Sequence, residues 1–224
     1  MKFSTANTNL PALLLACFTL TFNNYAFAAE QSSLQATNNL VKAGDKFVTL
    51  LGQQVAVGEQ APDFKVVDKN FAPVSLKDFP GQTVLISVVP SLDTGVCSIQ
   101  TKRFNEEASK LPKNITILTI SNDLPFAQKR FCESEKVESV KVLSDSVWRQ
   151  FGANYGLLIK DMGLLTRAIF IINDQGKIVY KELVENISQH PDYDKALTKV
   201  KYTAPVIVLN EDEIKTKKEA YQEN

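Results

Sequence analysis

The chain has 224 residues, 44% of them hydrophobic, with 25 basic and 25 acidic side chains. That length fits one domain with extra sequence at its ends, and that apolar share excludes a disordered chain. The balanced charge leaves no strong field to recruit nucleic acid or an acidic membrane face.

The first residues carry a targeting pattern. Lys2 precedes an apolar run from Leu10 to Phe22, and Ala26-Phe27-Ala28 is the small-x-small pattern of a signal-peptidase site. We expect residues 1–28 to be a secretory signal peptide cut after Ala28, which makes the mature protein exported and periplasmic. The apolar run is too short to span a bilayer as a helix, so no membrane span is expected. Cys17, in Leu14-Leu15-Ala16-Cys17, offers a second reading as a lipidated N-terminus, although the apolar run continues past it. Mass spectrometry of the mature N-terminus is expected to show Ala29; a lipidated Cys17 would overturn the assignment.

Cleavage after Ala28 leaves Cys97 and Cys132. An even number of cysteines in an oxidising compartment invites a disulfide. A domain of this size buries enough core without one. The pair is therefore either a bland staple or a chemical device.

Residues 29–45 are small and polar and read as a leader or short helix. Two β-type runs, Lys46–Leu51 and Val55–Val57, flank Gly52-Gln53-Gln54 and predict a hairpin there. Residues 61–82 carry Pro and Gly punctuation and predict short strands and turns. Thr83–Pro90 is a continuous apolar run, the mark of a strand buried on both faces. From Gly95 the chain predicts a helix with Val96, Ile99, Phe104, Ala108 and Leu111 on its apolar side and Thr94 as its cap. Asn114–Ser121 reads as a second buried strand and Pro125–Glu135 as a helix, since proline is favoured in a first turn. A short strand follows at Val140–Asp145, then a short helix ended by Gly156. Two strands flank Asp174-Gln175-Gly176, a hairpin signal. A last helix over Pro191–Tyr202 precedes a charged C-terminal extension, 204–224. This order implies an α/β fold, a central mixed sheet with helices on both faces. The domain is bounded at 46–203.

Cys97 stands where a buried strand gives way to a helix. The thiolate is the nucleophilic form of cysteine. Unpaired N–H groups and the macrodipole at a helix N-terminus favour negative charge, by ~0.3–1 kcal/mol. A cation would add more, and Arg103, Arg130, Arg149 and Arg167 are candidates. Arg167 opens the apolar strand Ala168–Ile172, so two readings stand: an arginine near the sheet's end that holds an anion, or a strand-edge arginine paired with a surface carboxylate. Cys97 likewise reads either as a small buried hydrophobe or as a reactive thiol near the polar loop Ser91–Gly95.

Pro90, Thr94 and Cys97 form the pattern P-x-x-x-T-x-x-C, which resembles the active-site pattern of peroxiredoxins. Pro90–Cys97 together with Ser121–Cys132 closely resembles bacterial thiol peroxidases of the atypical two-cysteine type, and the similarity runs from about Val48 to Lys201. The resemblance implies a thioredoxin-like fold with an N-terminal β-hairpin, and a thiol-dependent peroxidase acting on hydrogen peroxide and organic hydroperoxides. It makes Cys97 the peroxidatic cysteine and Cys132 the resolving cysteine, joined as an intramolecular disulfide after attack. Thr94 would hydrogen-bond the thiolate or the peroxide, Arg167 would stabilise charge on the breaking O–O bond, and Pro90 would shield the site. Leu92 and Phe126 would line an apolar hydroperoxide site. The resemblance also implies a thioredoxin-like dithiol reductant and a homodimer.

No cofactor is expected. The single histidine, His190, and the spacing of the cysteines do not form a zinc site. The family is mostly cytosolic and reduced by thioredoxin, so the export signal and the long tail depart from it. Two alternatives compete. A thiol–disulfide oxidoreductase would normally carry C-x-x-C, whereas Cys97 is followed by Ser98, Ile99 and Gln100. A non-enzymatic protein with a structural disulfide would consume no peroxide.

Overall fold

A computed structural model of the chain describes residues 34–205. The signal-peptide reading, Cys17 and residues 206–224 of the extension lie outside the described residues.

Two sheets organise the domain. The larger has seven strands in the order β10-β9-β5-β6-β7-β3-β4. Its centre is β5 (Thr83–Val88), parallel to β6 (Ile115–Ser121), which is parallel to β7 (Lys141–Ser144). Every residue of β5 is buried, as a strand covered on both faces requires. β9 (Ala168–Ile172) runs antiparallel on the other side of β5 and pairs with β10 (Ile178–Leu183). β3 (Lys65–Val67) and the edge strand β4 (Pro73–Ser75) complete the sheet. Pro73 is tolerated there because an edge strand leaves one side without ladder partners.

The helices are α1 (Gly95–Ala108), α2 (Pro125–Glu135), α3 (Gln150–Asn154) and α4 (Tyr193–Thr203). One apolar cluster joins β5, β6 and β9 to α3 through Ile86, Leu118, Phe151 and Phe170; a second joins them to α1 and α4 through Leu85, Phe104, Ile171 and Leu197. The core thus lies on both faces of the sheet, in the expected mixed α/β arrangement. α3 is short and is held by Asp145. This carboxylate accepts the N–H groups of Phe151 at 3.0 Å and Gly152 at 2.8 Å. Burial nonetheless pushes its pKa up to about 6.

The N-terminal region corrects the sequence reading. Residues 36–43 are neither leader nor short helix but strand β1 (Ala36–Ala43), paired with β2 (Lys46–Leu51). β8 (Leu158–Ile159), which no pattern announced, extends this pair to a three-stranded sheet. The hairpin turns at Gly44, where φ is 62°, instead of at Gly52-Gln53-Gln54. Gly52 serves another purpose. Its φ is 116°, and a Cβ there would stand 2.3 Å from the Ala153 carbonyl oxygen. The bridge from Lys42 of β1 to Asn186 joins residues far apart in the chain, and no local pattern announces it. Only Val41 of β1 reaches full burial, so no alternating apolar pattern marks it.

Candidate active site

The site forms where β5 ends and β9 begins. β5 runs into buried Pro90, a turn at Ser91–Thr94, and then α1. Cys97 is the third residue of α1. The first intrahelical bond runs from Ser98 N–H to the Thr94 carbonyl at 3.0 Å, so the N–H groups of Gly95, Val96 and Cys97 precede the helix's own acceptors. The antiparallel register pairs Val88 with Ala168. Arg167 is one step beyond that pair, beside the start of α1.

Arg167 is 1% exposed. Its Nη2 donates to Cys97 Sγ at 3.2 Å. Nε and Nη2 donate to the Ile187 carbonyl at 2.9 and 2.7 Å. Nη1 donates to Gln100 Oε1 at 2.5 Å. Among the described residues Arg167 forms no salt bridge. This overturns the strand-edge reading with a surface carboxylate. A buried cation among neutral acceptors carries a large desolvation cost, and the one partner able to become an anion is Cys97. The other arginines do not compete: Arg103 lies 3.5 Å from Glu107, Arg149 acts on Asp145, and Arg130 is exposed.

Cys97 itself is fully buried, packed with Val89, Leu92, Phe131 and Val142. The expectation of a thiol near the surface was wrong in exposure, because the apolar side chains of Leu92 and Phe131 cover it. Leu92 therefore belongs to the wall of the site. Phe126 does not: it is 61% exposed and stacks edge-on against Phe71 at 5.2 Å. Thr94 occupies the N-cap position without a side-chain cap bond. Its hydroxyl donates to the Ser91 carbonyl at 3.1 Å and makes no hydrogen bond to Sγ. The inward face of α1 also differs from the predicted one. Cys97, Gln100, Thr101, Phe104 and Glu107 are buried, whereas Ile99 is 52% exposed.

Cys132 sits in the last turn of α2 as a free, half-buried thiol, and Cys97 is also free. It packs in a different apolar cluster from Cys97, and Phe131 and Val142 touch both clusters. Burial pushes the Cys132 thiol pKa up; Lys69 pulls it down and Glu133 pushes it further up. The structure brings Cys97 and Arg167 together and leaves Cys132 beyond a layer of side chains.

Two residues that sequence reasoning passed over complete the site. Gln100, buried one turn after Cys97, links Arg167 to Ser87, to which its Nε2 donates at 2.8 Å. Its signal was a polar residue three positions after Cys97 on the same helix face. Asp123 fixes the loop before Cys97, accepting from the Ser91 hydroxyl at 2.7 Å and the Leu92 N–H at 2.8 Å. An aspartate just past a buried parallel strand was the available clue. His190 lies outside this network: its Nδ1 hydrogen-bonds the Tyr193 hydroxyl at 2.6 Å. Burial pushes the Tyr193 pKa up to about 12, with Arg167 and Arg103 opposing.

Comparison with known proteins agrees with this geometry. Residues 56–197 match the Redoxin family. The thiol peroxidase of Oceanobacillus iheyensis is 49% identical over 151 residues, covering 67% of this chain and 92% of that protein. The thiol peroxidase of Bacillus subtilis is 47% identical over 154 residues, covering 69% and 92%. The crystal structure of a peroxiredoxin-like protein from Aquifex aeolicus superposes with a TM-score of 0.70 at 39% identity, covering 75% of this chain and 99% of that one. The chain belongs to the redoxin family and, within it, to the peroxiredoxin-type, thiol-dependent peroxidases of bacteria.

Proposed function

We propose that Cys97 is the peroxidatic residue of this peroxidase and Cys132 its resolving partner. The observation that carries the proposal is the buried Arg167 guanidinium, 3.2 Å from Sγ and without a carboxylate partner among the described residues. It donates to the sulfur, which as a thiolate attacks one oxygen of a hydroperoxide in line. An S–O bond forms and the O–O bond breaks. The leaving oxygen departs with the bonding pair, takes up a proton, and is released as water or an alcohol. Arg167 and the free N–H groups of the first turn of α1 meet the charge that moves along the O–O axis. Cys97 is left as a sulfenic acid. Because Cys97 has no exposed surface, peroxide reaches it only as Leu92 or Phe131 yields. Pro90 keeps bulk water from the strand end. Thr94, turned toward Ser91, assists only after its hydroxyl rotates.

Cys132 then attacks the sulfenic sulfur. A disulfide forms and one water leaves, carrying the Cys132 thiol proton and the sulfenic hydroxyl. A thioredoxin-like dithiol protein reduces the disulfide in two exchange steps. We take the substrates to be hydrogen peroxide and organic hydroperoxides and the working unit to be a homodimer, both supported by the sequence resemblance, and the compartment to be the periplasm, supported by the export pattern ending at Ala28.

The reduced mature protein, mixed with one equivalent of hydroperoxide, is expected to lose both thiols together, while Cys132→Ser accumulates a dimedone-reactive sulfenic acid at Cys97. Cys97→Ser is expected to consume no peroxide. Oxidation no faster than that of a free thiol in solution would sink the assignment, and sedimentation of the same preparation checks the dimer.

A further inference from the structure

The orientation of Arg167 is set by neutral acceptors. Two of its four donor contacts end on one carbonyl, that of Ile187. Ile187 lies in an irregular segment between β10 and α4, so no helix or sheet ladder holds that carbonyl in place. The N-terminal hairpin does. Lys42 N–H donates to the Glu185 carbonyl at 2.7 Å, and Ile187 N–H donates to the Lys42 carbonyl at 3.0 Å. The Ile187 side chain packs against Val41, Leu50 and Ile159. Asn186 supplies the one side-chain hydrogen bond from this segment to the hairpin among the described residues. Its Nδ2 donates to the Gly44 carbonyl in the hairpin turn at 2.9 Å, and its Oδ1 accepts from Ser188 N–H at 3.0 Å. Its own carbonyl accepts from Gln189 N–H at 2.9 Å. The segment is thus closed on itself through Asn186 and fastened to the hairpin at Glu185, Asn186 and Ile187.

We propose that Asn186 is a positioning residue for the reaction at Cys97: it locks the Glu185–Gln189 segment to the β1–β2 hairpin and so holds the Ile187 carbonyl that aims the Arg167 guanidinium at Sγ. The hairpin, which belongs to a different sheet from β5 and β9, thereby becomes part of the active site's support. Such a tie matters because an Arg167 donor has to meet a moving charge within a few tenths of an ångström, and displacements near 1 Å cost roughly 10²-fold. The inference rests on the reading of Cys97 and Arg167 given above.

The test uses the full mature chain carrying Cys132→Ser, so that Cys97 is the only thiol. Four proteins are compared: this parent, Asn186→Ala, Arg167→Met and the double variant. The rate with hydrogen peroxide, the pH profile of Cys97 alkylation by iodoacetamide and the melting temperature are measured on each. Asn186→Ala is expected to slow the peroxide reaction about tenfold and to move the alkylation profile to higher pH, with melting lowered by no more than about 4 °C. Asn186→Asp, which keeps the acceptor for Ser188 and loses the donor to Gly44, is expected to behave like Asn186→Ala. The double variant is expected to be no slower than Arg167→Met, because both changes act through one guanidinium. A parent-like rate and pH profile in Asn186→Ala, with Arg167→Met strongly impaired, would overturn this inference and leave the catalytic reading standing. Losses that multiply in the double variant would overturn it too. A parent-like Arg167→Met would remove the catalytic reading and this inference together.

Discussion

Arg167→Met lowers the rate of peroxide reduction by about 10²–10³-fold, the usual cost of removing one preorganised donor from a developing anion. The methionine is long and apolar enough to occupy the same channel, so the volume of the site is nearly kept. What is lost is specific: the donor at 3.2 Å from Sγ and the fork that joins Ile187 and Gln100. The sulfur loses its only side-chain hydrogen-bond donor among the described residues, and a peroxide loses the group that would meet its departing oxygen. Arg167→Lys is expected to recover little. A lysine presents one point charge where three separate donors now reach three acceptors, and it is more strongly hydrated when buried. The measurement is the second-order rate of Cys97 oxidation followed by stopped flow, with far-ultraviolet circular dichroism confirming the fold. A rate within a factor of about two of the unmodified protein would show that the guanidinium is structural.

Oxidation is expected to unwind the first turn of α1 and the last turn of α2. A disulfide requires Cα atoms within about 7 Å and Cβ vectors that face each other. Here both thiols are free, each is built into a helix, and Phe131 and Val142 pack against both of their clusters. Phe131 precedes Cys132 on α2 and covers Cys97, so it has to leave before the sulfurs can meet. The end of α2 is prepared for this. The Cys132 carbonyl accepts from Lys136 N–H and from Val137 N–H at 3.0 Å. Lys136 is left-handed, with φ 55°, a conformation that costs a non-glycine residue about 1–2 kcal/mol. Moving Cys132 therefore releases a strained cap while it breaks those bonds. Hydrogen exchange by mass spectrometry is expected to rise at least about tenfold in peptides covering 95–100 and 131–137 on oxidation, since these turns lose their helical bonds. Exchange in β5 and β6 is expected to stay unchanged. Equal protection in both redox states would rule out resolution by Cys132 within one chain and direct attention to a bridge between chains.

Much of the fold was readable from local pattern. The runs Thr83–Pro90 and Asn114–Ser121 are continuous and apolar, and they became the two central parallel strands. Pro125 marked the start of α2 because its ring suits a first turn, and Asp174-Gln175-Gly176 turned the last hairpin, with Gly176 at φ 76°. β1 was not readable, for its residues are polar and only Val41 is fully buried. Gly52 was misread because a glycine needed for a turn and one needed for a close backbone approach look alike in a sequence. Ile99 was placed on the wrong side of α1 for a related reason. The buried face of that helix carries Gln100 and Thr101, whose polar groups are satisfied by Ser87, Arg167 and the Cys97 carbonyl.

The order of the central strands and the helices, the position of Cys97 at a strand-to-helix junction and the family of the chain all follow from residues close together in sequence, because hydrophobic period, capping and motif spacing are local properties. The environment of Arg167 is not of that kind. Its burial, its lack of a carboxylate partner among the described residues and its aim at Cys97 arise from the pairing of Val88 with Ala168, the return of Ile187 and the grip of a hairpin more than a hundred residues earlier. Those contacts depend on the register of a sheet whose strands are distant in the chain, and a charge becomes chemically potent only once its neighbours have excluded water.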